Sequence, residues 1–389
     1  MAVKKKTSTG AAPVPVLTTR ALNRATLDRQ LLLNRAATSP RDAVAHLVGL
    51  QAQNTKPPYY QLLARLQGFR PAALSTLMES REVVRIVSLR STIHTHTAED
   101  ALTLRPLMQP AIDRELNMFR KRLPGVDLDR LSELSRAYVE EASRTPKEIR
   151  DRLLAEWPDA DPQALGIAAR CLLPLVQVTP RGLWGVSGGV ALTTVERWLG
   201  RAREEAPDIE GAVLRYLGAF GPASVKDMQT WGGLTRLKEV FERLRPRLVT
   251  FRDGYGTELF DLPDAPRPSE DTPAPPRFLP EFDNVLLGHA DRTRVIPLHL
   301  KGLNGVGNQN YGSVLVDGFF AAVWRLDTPR DAPAVVTVQE LRPLTAAERD
   351  TLTREAGDLV AAMTPAPGHD VRFASFVDLG RPGPTGAWR

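Results

Sequence analysis

Cysteine is almost absent from the sequence, since its 389 residues include one, Cys171. Disulfides therefore cannot stabilise the fold, and we expect Cys171 to be a buried helical residue rather than a reactive thiol. No run of about 18 apolar residues occurs, which excludes a membrane-spanning helix. Residues 1–15 carry Lys4, Lys5 and Lys6 but no signal-peptide core, so we expect a disordered basic tail and a cytoplasmic protein.

Several well-known catalytic motifs are also missing. The sequence has no GxxxxGK[ST] loop, which argues against a P-loop motor, and no GxSxG nucleophile elbow. The candidate ligands of a metal site, His94, His96, His289 and Asp291, lack the spacing of an HExxH-type site. We expect neither a metal nor a cofactor.

Positive charge is in modest excess, with 51 basic and 45 acidic residues and a net charge of +6. Arginine dominates, with 42 residues against 9 lysines. Guanidinium groups fit phosphates bidentately, which suits a nucleic-acid partner. A GC-rich genome produces the same bias, so composition favours DNA binding only weakly.

Apolar periodicity and turn signals repeat three times along the chain. In each copy, helical segments precede a predicted β-hairpin: Glu82–Thr97 in the first copy, Leu175–Val186 in the second and Arg247–Phe260 in the third. The helices predicted in the first copy lie over about 22–34, from Ser39-Pro40 to about Gly49, and after Pro57-Pro58. Those in the second lie over 128–143 and begin at Thr145-Pro146 and Asp161-Pro162. This order is typical of winged-helix units. We predict the following division: a tail at 1–15, winged helices at 16–120, 121–205 and 206–263, a proline-rich linker at 264–276, and a β-rich domain at 277–389.

The third copy carries the clearest signals. Ser224 and Asp227 form a predicted capping box, and Gly232-Gly233 provides the turn before the next helix. From Arg236 to Arg252 there are six basic and two acidic residues. A recognition helix and its wing normally meet the groove and its phosphates. We therefore predict DNA contacts from the following residues: Arg236, Lys238, Arg243, Arg245 and Arg247.

In the C-terminal part, short apolar runs predict strands, and a capped amphipathic pattern predicts a closing helix. The predicted strands are Val285–Leu287, Val295–Leu298, Val314–Val316, Phe319–Leu326 and Val335–Leu341, followed by a helix over Thr345–Met363. The fold class is therefore α+β.

Gln51 and Gln53 stand in a segment between two predicted helices, at a spacing that directs both side chains the same way in an extended chain. Carboxamides can orient a water but cannot take its proton at ordinary pH. Taken alone, the pair is more typical of a polar loop. It makes chemical sense where the leaving group needs little help, as with an N7-alkylated purine that already carries positive charge.

Two further groups of polar residues are candidates for function. Thr92, His94 and His96 alternate onto one face of the first hairpin, where they could contact phosphate or simply face solvent. Glu281 and Asp283 are carboxylates that could do acid-base work. We favour a structural role for them, in which Asp283 or Asp291 pairs with arginine.

Five motifs occur in an order that resembles the bacterial AlkZ/YcaQ family of winged-helix DNA glycosylases. They are Gly49-Leu50-Gln51-Ala52-Gln53 with Pro57-Pro58-Tyr59, Arg90-Ser91-Thr92-Ile93-His94, Gly221-Pro222-Ala223-Ser224, Leu279-Pro280-Glu281-Phe282-Asp283-Asn284, and His289-Ala290-Asp291-Arg292. The resemblance extends over about 22–363.

The resemblance implies three tandem winged helices and a β-barrel-like domain, arranged as a C around duplex DNA. It implies a monofunctional enzyme that removes N7-alkylguanine and unhooks interstrand crosslinks, with Gln51 and Gln53 positioning the attacking water. We expect a monomer. The YcaQ branch carries a carboxylate at the second position. Gln53 therefore places this chain nearer the AlkZ branch, which is associated with resistance to genotoxic antibiotics such as azinomycin.

The resemblance also implies that the hairpin with Arg90, Ser91, Thr92 and His94 lies against DNA at the lesion, and we add His96 as a contact on its position alone. Two alternatives remain open from the residues. One is a non-catalytic winged-helix regulator or architectural protein, which does not explain the glutamine pair. The other is a nucleotide or small-molecule hydrolase that uses Glu281 and Asp283.

Overall fold

The computed structural model describes residues 14–202, 207–303, 305–306, 309–330 and 332–379. Nearly all of the predicted basic tail, including its three lysines, lies outside these residues. The chain just after the tail is anchored, because Val16 forms a parallel bridge with Arg252. No helix in the described ranges combines the length and the apolar character needed to cross a bilayer.

The first part of the chain forms helices and strands in alternation. They are α1 (Thr19–Arg29), α2 (Pro40–His46), β1 (Leu50–Gln51), α3 (Pro57–Arg65), α4 (Pro71–Glu79), β2 (Val83–Val87), β3 (Ile93–Thr97), α5 (Ala98–Leu107) and α6 (Gln109–Phe119). The predicted hairpin and the three helices α1 to α3 are confirmed. Ser39 caps α2 by accepting a hydrogen bond from the backbone N–H of Asp42. Helices α4, α5 and α6 were not predicted.

The second part contains three predicted helices and one predicted strand. Its elements are α7 (Leu128–Glu141), α8 (Pro146–Leu154), α9 (Pro162–Leu172), β4 (Leu175–Gln177), β5 (Leu192–Thr194) and α10 (Val195–Leu199). The strand predicted at 183–186 is wrong, because that segment is a loop. Trp184 packs its ring 4.9 Å from Tyr59 and 5.9 Å from Tyr60. The apolar run therefore reflects packing against α3 rather than strand pairing.

The hairpins of the first two parts share one sheet. Its five strands follow the order β1-β3-β2-β4-β5. Strand β2 pairs with β3 on one side and, antiparallel, with β4 on the other, where Ile86 faces Val176. The first hairpin is thus an interior part of a sheet and not a free wing.

The third part agrees with its prediction. It forms α11 (Ile209–Phe220), α12 (Val225–Gly232), α13 (Lys238–Leu244), β6 (Val249–Arg252) and β7 (Glu258–Asp261). Ser224 and Asp227 form the predicted capping box. Gly233 ends α12 with φ of 68°, a backbone conformation that strongly favours glycine.

The C-terminal part forms β8 (Arg277–Leu279), α14 (Asn284–Leu287), β9 (Gly305–Val306), β10 (Gln309–Asn310), β11 (Gly312–Val316), β12 (Phe319–Asp327), β13 (Ala334–Glu340), α15 (Ala346–Met363) and β14 (His369–Phe373). Three predicted strands and the closing helix are confirmed. The strand predicted at 285–287 is wrong, because Asp283 caps a helical turn there by accepting from the N–H of Val285. The strand predicted at 295–298 is also wrong, since that segment has no ladder pairing; Val295 and Ile296 are buried, whereas Leu298 is exposed.

The larger C-terminal sheet is open. Its strand order is β14-β13-β12-β11-β8, and the described residues show no pairing between β14 and β8. The predicted barrel-like closure is therefore not found in this part of the chain. Leu27, Leu32 and Ala64 from the first part share a core with Leu315 and Phe320 of the sheet. The fold is mixed α/β, while the count of winged-helix units and the C shape stay predictions.

Candidate active site and DNA interface

Gln51 and Gln53 lie at the edge of the first sheet with very different exposure. Gln51 ends β1, where it faces His94 across the antiparallel ladder, and only 5% of it is exposed. Its backbone carbonyl accepts a hydrogen bond from Gln61 Nε2 at 3.1 Å. Gln53, two residues on, is exposed, and its Oε1 accepts from the N–H of Ile93 at 3.4 Å. The pair thus combines a fixed amide with one that reaches solvent.

Arg90 links the glutamine pair to the hairpin and to the third part of the chain. Its Nη2 donates to Gln51 Oε1 at 2.7 Å and lies 3.4 Å from His94 Nε2, while its Nη1 donates to the carbonyl of Trp231. Arg90 has φ of 53°, in the left-handed region. Burial, and secondarily the nearby charge of Arg292, lower the pKa of Arg90 to about 10. The guanidinium stays protonated at neutral pH.

The two hairpin histidines are buried rather than exposed to solvent. His94 and His96 are each 1% exposed, and their rings stack with centroids 5.7 Å apart. Burial lowers the pKa of His94 well below its usual value and that of His96 to about 4. Both rings are therefore neutral near pH 7. Direct contact of either ring with a duplex would require this packing to open.

The backbone at Gly49 packs closely against the ring of His96. It has φ of 94°, and a Cβ at this position would lie 2.3 Å from Cε1 of His96. Only glycine lets the chain before the glutamine pair pass this close to the histidine ring. His96 Nε2 in turn contacts Ser88 Oγ at 2.8 Å. His96 therefore serves as packing under the glutamine segment in this conformation.

The predicted pairing of Asp283 with an arginine is confirmed. Arg65 donates to both of its carboxylate oxygens, at 2.7 and 2.8 Å, and both side chains are fully buried. Asp291 instead accepts from the N–H and hydroxyl of Thr293. Glu281 is half-buried and accepts from Asn54 Nδ2 at 3.0 Å. Asp283 is thus held in a buried ion pair, whereas Glu281 accepts a hydrogen bond from a neutral amide.

Comparison with known families decides which family the chain belongs to. The sequence model of the family described as DNA glycosylase AlkZ-like matches residues 44–362. The chain belongs to the AlkZ-like DNA glycosylase family. It is accordingly an enzyme that acts on DNA, and the non-catalytic regulator and the small-molecule hydrolase are set aside. No curated protein gives a significant match.

Among solved structures, this AlkZ-like glycosylase is similar to the DNA glycosylase AlkZ of Streptomyces sahachiroi. The TM-score is 0.77 at 19% sequence identity, and the match covers 92% of this chain and 100% of the other. Identity this low establishes a shared fold and nothing finer. It agrees with the family match over most of the chain.

The basic residues of the third part differ in how free they are. Arg243 pairs with Glu210 at 2.9 Å, and Arg245 pairs with Glu242 at 2.7 Å and Glu258 at 3.1 Å. Three others are exposed and form no ion pair with a described residue: Arg236, Lys238 and Arg247. Of the five predicted DNA contacts, two therefore have their charge neutralised by ion pairs, and three have a charge that is free to meet a phosphate.

The turn of the first hairpin meets the third part of the glycosylase. A Cβ on Gly233 would lie 3.2 Å from Cα of Arg90, and Arg114 donates to the carbonyl of Gly233. Ser91 donates to Glu115, and Thr92 Oγ1 donates to the carbonyl of Leu89 at 3.0 Å. A cavity of about 810 Å³ borders this turn, and its lining includes Arg90, Ser91, Thr92 and Met118.

Sequence reasoning missed two residues that contact Glu281 and Asp283. Asn54 and Arg65 were not singled out, although Asn54 directly follows the glutamine pair and Arg65 ends the next helix. Their partners lie more than two hundred residues away, so no local signal could find them. Within the described ranges, no three His, Cys, Asp or Glu side chains are grouped to hold a metal ion.

Proposed function

We propose that this glycosylase hydrolyses the N-glycosidic bond of cationic N7-alkylated purines in double-stranded DNA, including purines joined in interstrand crosslinks. The observation that carries the proposal is the glutamine pair itself. Gln51 is held by Arg90 in the turn of the hairpin, and Gln53 is exposed two residues on. Such a site can position a water but offers no acid among its own two amides for a leaving base.

The chemistry suits a base that leaves without protonation. When C1′–N9 breaks, the electron pair moves onto N9 and neutralises the positive charge created by N7 alkylation. Water then bonds to C1′ of the oxocarbenium-like sugar and loses one proton, which leaves an abasic site and a neutral free base. Gln51 and Gln53 would orient that water, and amide dipoles would favour the charge on the sugar. No cofactor takes part.

Three winged-helix units around a duplex would provide the grip, with boundaries at 16–120, 121–205 and 206–263. The hairpin turn would lie at the lesion, where Arg90, Ser91 and Thr92 border the 810 Å³ cavity. His94 and His96 would support this turn from beneath. The biological role would be DNA repair that gives self-resistance to alkylating natural products, exercised by a monomer. The family match supports the DNA-glycosylase part of this role, and the resistance part follows from the resemblance of Gln53 to the AlkZ branch.

The test uses duplex DNA that contains N7-methylguanine, with abasic sites revealed by treatment with base. The wild-type protein should form abasic sites, and Gln51→Ala and Gln53→Ala should each slow their formation without abolishing DNA binding. Gln67→Ala is the matched control. Gln67 is an exposed glutamine that follows α3 in the chain, and it donates to the carbonyl of Arg35. Equal rates for wild type and both variants would remove the glutamines from the mechanism.

A panel of lesions then tests specificity. Cationic N7 adducts and crosslinked N7-alkylpurines should be released, whereas neutral lesions with the same sugar should remain, because two amides cannot protonate a poor leaving group. Release of neutral lesions at comparable rates would contradict the restriction to cationic bases.

A further inference from the structure

The segment Glu281–Asn284 holds both ends of the glutamine segment. Asn284 Nδ2 donates to the carbonyl of Gly49 at 2.8 Å, just before the pair. Asn54 Nδ2, just after it, donates to Glu281 Oε1 at 3.0 Å. Between them, Asp283 is fixed by its buried pair with Arg65. The buried pair of Asp283 and Arg65 is a rigid support for this segment. It places Glu281 beside Asn54, the residue that follows Gln53.

Glu281 differs from the other carboxylates in its surroundings. Both oxygens of Asp283 are bonded to Arg65, and both oxygens of Asp291 are bonded to Thr293. Glu281 is half-buried, accepts one hydrogen bond from a neutral amide, and forms no ion pair with any described residue. The second carboxylate oxygen of Glu281 accepts no hydrogen bond from a described residue, and its partner Asn54 is exposed.

The glutamine pair lacks a free acceptor for the hydrogens of an attacking water. The amide oxygen of Gln51 accepts from Arg90, and that of Gln53 accepts from the N–H of Ile93. Their remaining polar groups are chiefly N–H donors, which can bond to the oxygen of a water. A water that attacks C1′ must also donate its own hydrogens and lose one of them. A carboxylate is suited to accept that hydrogen.

We propose that Glu281 is a catalytic residue, which accepts a hydrogen bond from the attacking water and takes its proton as the C1′–O bond forms. The electron pair of the breaking C1′–N9 bond leaves with the purine, and Glu281 later returns the proton to solvent. Its negative charge also stabilises the developing positive charge on the sugar. This role rests on the proposed function, since it belongs to the same water and the same sugar carbon.

The first experiment compares Glu281→Gln with Asn54→Ala. Glutamine keeps an oxygen that can accept from Asn54, so the support is preserved while the base is lost. Single-turnover excision of N7-methylguanine should fall about 100-fold in Glu281→Gln, with unchanged DNA affinity and Tm. Asn54→Ala removes the hydrogen bond but keeps the carboxylate, and its excision rate should remain within about fivefold of wild type.

A second experiment distinguishes a catalytic role of the Glu281 carboxylate from a structural one. In Glu281→Ala, sodium formate should restore part of the excision rate relative to sodium chloride at equal ionic strength, because formate supplies a carboxylate in the vacated space. Formate should not stimulate wild type or Asn54→Ala.

Several outcomes would overturn the role of Glu281. One is a Glu281→Gln rate within twofold of wild type, and another is an Asn54→Ala defect as large as that of Glu281→Gln with no formate rescue of Glu281→Ala. If wild type itself leaves N7-methylguanine in place, the proposed function fails and this role fails with it. A wild type that excises beside an equally active Glu281→Gln overturns only the role of Glu281.

Discussion

The guanidinium of Arg90 donates to the amide oxygen of Gln51 at 2.7 Å. Because guanidinium has no acceptor, this contact fixes which end of the carboxamide faces the hairpin. The Nε2 group of Gln51 must then point away from Arg90. Arg90 is in this sense a positioning residue for a glutamine that is 5% exposed.

Replacing Arg90 with methionine should reduce excision. A hydrogen bond to a charged group contributes about 1.5–3 kcal/mol, so the loss of orientation corresponds to a roughly 10- to 100-fold lower single-turnover rate. Arg114→Ala is the control, because Arg114 also donates into the 232–233 turn but its hydrogen bonds go to the carbonyls of Gly233 and Pro110 and not to Gln51. A rate for Arg90→Met equal to that of the control would contradict the positioning role. Affinity for undamaged duplex is measured alongside.

The basic residues of the third part should not contribute equally to DNA binding. Arg247 is exposed and forms no ion pair with a described residue, whereas Arg245 is held by Glu242 and Glu258 and stacks on Phe260. Arg247→Ala should therefore weaken duplex binding and reduce the slope of log K against log salt by about 0.9. Arg245→Ala should change the slope less, because its charge is already neutralised. Equal slopes for the two variants would show that the ion pairs open on DNA.

Local signals predicted much of the fold. Caps and turns at Ser39-Pro40, Thr145-Pro146 and Ser224 correctly placed the starts of helices, because capping chemistry is written in a few neighbouring residues. The two errors have different causes. The run at 183–186 is apolar because Trp184 packs on the distant Tyr59, which no local signal shows. The run at 285–287 is helical because Asp283 caps it, a local signal that its apolar residues outweighed in the prediction.

The candidate site shows the same division. Gln51 and Gln53 were found by their pattern and by the resemblance, and His94 and His96 by alternation along a strand. Their burial could not be read from the alternation, because it depends on β2 pairing on both sides and on Gly49 packing against His96. Which carboxylate of the segment pairs with an arginine was equally invisible, since Arg65 lies 218 residues before Asp283.

The buried pair of Arg65 and Asp283 should be a large contributor to stability once either partner is removed. Asp283→Asn leaves a fully buried guanidinium without its counter-charge, and we expect the free energy of unfolding to fall by about 3–5 kcal/mol. Asp151→Asn is the matched control, because its pair with Lys147 is exposed and should contribute less than about 0.5 kcal/mol. Denaturant unfolding measures both. A small effect at Asp283 would mean that water enters the site.

Acid should destabilise the protein through its buried histidines. Burial lowers the pKa of His94 well below its usual value, that of His96 to about 4, and that of His289 to about 3. In the unfolded chain these rings titrate near the ordinary value of 6.5. Between 6.5 and the folded pKa the unfolded state binds more protons, so stability is complete above this window and is lost as the pH falls through it.

Each such histidine lowers the free energy of unfolding by about 1.4 kcal/mol per pH unit within that window. The Tm should therefore be level from about pH 8 to about pH 7 and should fall steeply toward about pH 5. His96→Gln should be less stable near pH 8, because it disturbs the packing against Gly49, yet its Tm should decline more gently toward acid. If the variant declines as steeply as wild type, His96 takes up its proton without unfolding, and its ring must be reachable by solvent in the native protein.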